Sequence, residues 1–163
     1  MTRVLVLAAG NEMRGDDAAG PRLAGFVDAL GRAQVRTLVE FQFQVEHAVD
    51  VAEADLVLFI DAHASLAGSL QLSELHADDA RPAPGSHAVS PAEVLGVARQ
   101  LGLSVPPVFV LSVRGRRFEL GALMSPETAQ ACTEAEGWLS RLLTHPDADA
   151  WRAQAALAGA LNA

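Results

Sequence analysis

Val4 to Ala9 is an unbroken apolar run that stops at Gly10-Asn11, the pattern of a parallel strand buried on both faces and closed by a turn. After Gly15, apolar residues recur at Leu23, Phe26, Val27 and Leu30, with Asp16-Asp17 ahead of them and Gly31 behind. This spacing predicts an amphipathic helix with acidic residues at its start, and Pro21 fits such a helix only in or near its first turn. Val35 to Val39 predicts a second strand, Val45 to Ala52 a short helix, and Asp55 to Asp61 a third strand running into a carboxylate. The order to this point is β-α-β-α-β.

Ser69 to Leu75 alternates apolar and polar positions, as a sheet-edge strand does, and the stretch from Asp78 to Gly85, with Pro82 and Pro84, reads as a loop. Ser90-Pro91-Ala92-Glu93 opens a helix through Leu101: Ser is a good N-cap, Pro suits the first helical position, and Glu three residues on completes a capping box. Pro107 to Val113 predicts a further buried strand, and Ser125-Pro126 opens a helix reaching about Leu143. Beyond Pro146 the Ala-rich remainder is expected to be a weakly tethered helical tail, leaving residues 1–145 as the folded domain and 146–163 outside it. Strands alternating with helices at this spacing predict an α/β domain with a mostly parallel sheet and helices on both faces. In such sheets ligands gather beyond the C-terminal strand ends, which here carry Gly10-Asn11 through Asp17, then Asp61, then the loop with His87.

Composition narrows the function classes. A chain of 163 residues can bury a core without disulfides or a structural metal. Mean hydropathy is +0.21, yet no apolar run approaches the ~18 to 20 residues needed to cross a bilayer. The start of the chain lacks the charged, apolar and small-residue order of a secretory leader, so a cytoplasmic protein with no membrane partner is expected. The single cysteine, Cys132, excludes an intramolecular disulfide framework and a multi-thiolate zinc site; it reads as a small core residue rather than a nucleophile. Net charge is -8, all 12 basic residues are arginine, and only Arg114, Arg116 and Arg117 cluster, which argues against a nucleic-acid partner.

Two carboxylates and one imidazole from separate strand-end regions, Asp17, Asp61 and His87, form a candidate divalent-metal site of oxygen and nitrogen donors, suited to nickel, zinc or similar ions, although His87 beside Gly85 and Ser86 reads on its own as a polar loop residue and gains rank only from resemblance to a known family. Asp17 at a helix start is favoured in its ionised form by the helix dipole, though the Asp16-Asp17 pair serves equally well as helix capping. Asp61 ends an apolar strand, where an unpartnered buried charge is costly; a solvated strand-end residue is the plainer alternative. His63 follows Asp61 closely enough to reach the same cleft, though a surface imidazole is the favoured reading; His47 lies on the short helix, and His76 and His145 fall in polar stretches. There is no H-E-x-x-H helix, no G-x-S-x-G elbow and no phosphate loop. The first turn lacks G-x-G-x-x-G spacing, and the acidic helix start would repel pyrophosphate.

The segment Val4 to Asn11 followed by Arg14-Gly15-Asp16-Asp17-Ala18-Ala19-Gly20-Pro21 resembles the N-terminal signature of hydrogenase maturation proteases. The likeness continues at Leu58-Phe59-Ile60-Asp61-Ala62, at Gly85-Ser86-His87 leading into Ser90-Pro91, and at Phe118-Glu119-Leu120-Gly121 before Ser125-Pro126, spanning most of residues 3 to 143. The resemblance implies a three-layer α/β/α sandwich, with Asp17, Asp61 and His87 at the family's metal-contacting positions. It also implies a nickel-dependent endopeptidase acting as a monomer on a hydrogenase large-subunit precursor, near whose C-terminal cysteine motif it cuts after nickel insertion. By the same resemblance the nickel is expected to arrive with the substrate, and zinc or cadmium to substitute for it in vitro. Asn11, Asp16, Gln42 and Gln44 are expected to face the substrate.

This chain departs from the family where many relatives have Glu in place of Asp17. Ala92 rather than His follows Ser90-Pro91, and Glu40 to His47 replaces a Gly-Gly-(Thr/Ser)-x-Gly turn. A non-proteolytic docking protein that recognises loaded precursor would use the same ligands, and a small-molecule module built on the Gly10-Asn11 turn is a third reading.

Overall fold

The computed structural model describes residues 1–79 and 89–161. Five strands form one sheet: β1 (Val4–Ala9), β2 (Val35–Glu40), β3 (Leu56–His63), β4 (Leu70–Leu75) and β5 (Val108–Arg114). Their order is β2-β1-β3-β5-β4. The first four in that row are parallel, and β4 pairs antiparallel with β5 at one edge. The helices are α1 (Ala19–Ala29), α2 (His47–Glu53), α3 (Pro91–Gln100), α4 (Pro126–Thr144) and α5 (Ala148–Leu161).

The unbroken apolar runs follow from a sheet covered on both sides, because neither set of alternating side chains meets water. Val4, Val6 and Ala8 of β1 pack with Leu23 and Val27 of α1, Leu139 of α4 and Trp151 of α5. Leu5, Leu7 and Ala9 pack on the other side with Ala48 and Val51 of α2 and Val94 and Leu95 of α3. The three-layer α/β/α arrangement expected from the sequence is therefore the one observed. Ser90 caps α3 as anticipated: its hydroxyl accepts from the Glu93 N–H at 3.1 Å, and the Glu93 carboxylate accepts from the Ser90 N–H at 3.0 Å.

Two expectations need correction. The strand holding Asp61 does not end there: Ala62 and His63 remain in β3, paired with Val113 and Arg114 of β5. The Ala-rich tail is also firmly packed. Trp151 is fully buried, stands edge-on to Phe109 with ring centroids 5.3 Å apart, and donates its indole N–H to the Leu142 carbonyl at 2.9 Å. The Arg152 guanidinium holds both Glu74 carboxylate oxygens, at 2.7 and 2.8 Å. One large aromatic anchor and a fork-shaped ion pair on β4 thus outweigh the weak apolarity of the surrounding alanines. Among the described residues, no helix is long and apolar enough to cross a membrane.

Candidate active site

Chain order places β2 on one side of β1 and β3 on the other, so the crevice between the C-terminal ends of β1 and β3 is the topological switch point of the sheet. Gly10 leaves β1 there with φ +153°, and a Cβ on it would stand 2.0 Å from the Asp17 carbonyl oxygen. No other residue allows the chain to double back this tightly. The Asn11 side-chain oxygen accepts the Met13 N–H at 2.9 Å, and a 3-10 turn, Gly15–Ala18, delivers the chain into α1. At Gly20 an added Cβ would meet the Ala9 carbonyl at 2.1 Å, so that glycine sets how closely α1 approaches β1.

This tight return brings Asp17 back over the strand end, where one of its carboxylate oxygens accepts the Asn11 N–H at 2.7 Å. Asp61 lies one residue beyond the Ala8–Ile60 pairing of β1 with β3 and is itself paired with Ser112 of β5. Burial pushes the Asp61 pKa up to about 7; the Ala62 N–H opposes the rise, and the Asp17 charge adds to it. A like-charge pair in a partly dry crevice is relieved by a cation, and its oxygen donors suit a divalent one.

Asp16 has a different place from the one expected. It is fully buried, and its carboxylate accepts the N–H groups of Arg116, Arg117 and Ser125 at 2.6, 2.9 and 2.6 Å and the Ser125 hydroxyl at 2.9 Å. Burial disfavours its charge, but these donors outweigh burial and hold its pKa at about 2. Ser125 in turn reaches Thr128, whose hydroxyl donates to the Arg114 carbonyl at 3.0 Å. Asp16 therefore braces the β5–α4 connection against the first turn from a fully buried position.

The Gln42 and Gln44 side chains are exposed, in the segment between β2 and α2. That segment is held at two points: Phe43 is buried edge-on against Phe59 at 5.0 Å, and Nδ1 of His47 accepts the Gln44 N–H at 2.9 Å. The burial of His47 was not foreseen; its other ring nitrogen lies 3.7 Å from the Glu40 carboxylate. His87 lies outside the described residues. Asp17 and Asp61 lie at the ends of the adjacent strands β1 and β3; among the described residues no group of three His, Cys, Asp or Glu side chains converges as a metal site. His63 is exposed, with Nδ1 bonded to the Ser65 hydroxyl at 3.0 Å. Cys132 is buried, and burial pushes its thiol up to about 11, consistent with a core role.

Several solved structures share this fold. The [NiFe] hydrogenase maturation protease HycI from Thermococcus kodakarensis is 18% identical, with 88% of this chain and 94% of that one covered at a TM-score of 0.68. The hydrogenase maturating endopeptidase HybD from E. coli is 23% identical, with 87% and 93% covered at 0.66. A hydrogenase 2 maturation peptidase from a Thaumarchaeota archaeon is 24% identical, with 86% and 97% covered at 0.60. No family model and no curated protein matches the sequence. At these identities the likeness establishes a common fold, which covers nearly the whole of both chains.

Proposed function

We propose that this chain is an endopeptidase of hydrogenase maturation, which removes the C-terminal extension of a hydrogenase large-subunit precursor after nickel insertion. The observation that carries the reading is the placement of two carboxylates at the switch point, Asp61 one residue beyond the Ala8–Ile60 pairing and Asp17 bonded to the Asn11 N–H at the end of β1, within a fold whose solved neighbours include maturation proteases. A bare pair of neighbouring acids at a strand end is costly, and cation binding relieves that cost. Nickel is the precursor's own cargo, held by its thiolates. Asp17, Asp61 and His87 complete its ligand set, fixing the scissile bond so that water assisted by a carboxylate, or polarised by the ion, can attack. The protein acts as a cytoplasmic monomer in this reading.

The test incubates pure protein with nickel-loaded and nickel-free precursor and reads the precursor mass. Loss of the extension from the loaded form alone is expected, and Asp61→Asn or His87→Ala should abolish it while the variants stay folded. Firm binding of loaded precursor with no mass loss would instead support a docking protein. Unimpaired cleavage by both variants would remove these residues from the mechanism.

A further inference from the structure

β2 is an edge strand, and among the described residues nothing pairs with its outer side. Its hydrogen-bonding phase can be read from the bonds that bracket it. The N–H of Val4 donates to the Gln34 carbonyl at 2.9 Å, and the N–H of Gly10 to the Glu40 carbonyl at 3.0 Å. With the β1–β2 register running Val4–Val35 through Ala9–Glu40, even-numbered residues of β2 bond to β1. The N–H and C=O groups of Thr37 and Val39 therefore point outward. An open row of this kind is a template for an added strand.

The outward row leads toward the candidate active site. A cavity of about 440 Å³ at the C-terminal end of β2 is lined by Asn11, Glu12, Met13, Val39, Glu40 and Phe41. It joins the edge strand to Asn11, whose N–H is bonded to Asp17. Three of its lining residues are large apolar side chains left in water: Met13 is 64% exposed, Val39 47% and Phe41 78%. A lone exposed apolar residue is ordinary, whereas three on one cavity mark a contact surface. The wall is also rigid, because Phe43 and His47 pin the segment that carries Phe41. The carboxylates of Glu12 and Glu40 on the same cavity favour a basic side chain in the occupant and disfavour an acidic one. β4, at the other edge, is separated from β1 by β3 and β5 and offers no such path.

We propose that the outer edge of β2 binds the precursor's extended C-terminal segment as an additional strand. An apolar side chain of that segment seats among Met13, Val39 and Phe41, and a basic neighbour lies beside Glu12 and Glu40. This rests on the endopeptidase reading for the identity of the peptide. It adds how the peptide is held: main-chain pairing supplies affinity, and the cavity supplies selectivity. The Glu40–His47 segment, where this chain departs from the Gly-rich turn of the maturation proteases it resembles, becomes a determinant of specificity.

Hydrogen–deuterium exchange on the full-length Asp61→Asn variant tests the proposal. Three samples are compared: protein alone, protein with a nickel-loaded large-subunit precursor bearing its C-terminal extension, and protein with the same precursor lacking it. Exchange over residues 35–41 should slow about tenfold with the extended precursor only. In the otherwise wild-type enzyme, Val39→Pro deletes an outward N–H while leaving the ladder to β1 intact. It should raise KM about tenfold with kcat within about twofold, whereas Val39→Thr, which keeps the N–H and loses only apolar contact, should raise KM by less than the proline variant does. Phe41→Ser should likewise raise KM, and it provides the readout if the proline variant does not fold.

Absent protection over residues 35–41, or equal protection by the shortened precursor, overturns edge docking even when cleavage is normal. Protection that appears with rising concentration of the protein alone places a second copy on the edge and overturns it too. Protection by the extended precursor with no cleavage by wild-type protein sustains edge docking and defeats the endopeptidase reading.

Discussion

Replacing Asp61 with Asn should make the metal-free protein more stable and inactive at once. Burial first, and the Asp17 charge after it, move the Asp61 pKa from 3.8 to about 7 against the opposing Ala62 N–H. The folded state thus holds a proton that the unfolded chain releases between about pH 4 and pH 7. By linkage, stability is greatest below the unfolded pKa, falls as pH rises through that window, and levels off above 7. The full displacement corresponds to about 4 kcal/mol; because the group is only part-buried and its surroundings relax, a gain of about 2 to 4 kcal/mol is expected at pH 8. Asn keeps an acceptor for the Ala62 N–H and cannot ionise. The assay is chemical denaturation of wild type and variant at several pH values from 4 to 8, with precursor processing measured in parallel. The variant's advantage should shrink toward zero at pH 4. A variant less stable than wild type at pH 8, or an advantage independent of pH, would refute the reasoning.

Other outcomes follow from the same geometry. Asp16→Asn replaces one of the two acceptor oxygens with an NH2 that faces at least one of the four donors and should cost about 3 kcal/mol in denaturant titration. The wild-type contribution, set by a pKa of about 2, should be present above about pH 4 and fade as pH falls toward 2. Trp151→Ala empties a fully buried site between Phe109 and the Leu142 carbonyl and should cost about 3 to 5 kcal/mol; a loss below 1 would mean that α5 is loosely held after all. Zinc affinity, followed by calorimetry on the free protein, should rise with pH below 7 by about tenfold per unit as the Asp61 proton is displaced, then flatten. A pH-independent affinity would detach the ion from Asp61.

The sheet was legible because β1 and β3 are covered on both faces, so their sequences carry no polar interruption and the crossover helices fall between them. The rim of the sheet was legible for a related reason: the apolar runs of β1 and β3 give way to Gly10-Asn11 and to Asp61, and it is beyond such C-terminal strand ends that a parallel sheet meets its ligands. What escaped depends on partners far along the chain. The bracing role of Asp16 is invisible locally, since its donors come from Arg116, Arg117 and Ser125, about a hundred residues away. Asp61-Ala62-His63 reads as the end of a strand, but β5 stays in register through Arg114 and carries it onward. The tail looked loose because alanine gives little burial, and the one residue that anchors it, Trp151, shows its importance only against Phe109. His47 opens the short helix α2, and its burial was not legible because it depends on the ring, with Phe43, fastening the segment between β2 and α2.

Diffraction from crystals soaked in cadmium or zinc, collected for anomalous signal, reads the proposed ion grip directly. One peak within ~2.0 to 2.3 Å of carboxylate oxygens from both Asp17 and Asp61 and of an imidazole nitrogen of His87 is the result this account predicts. An ion bound elsewhere, with Asp17 and Asp61 left unligated or His87 far from both, would contradict it.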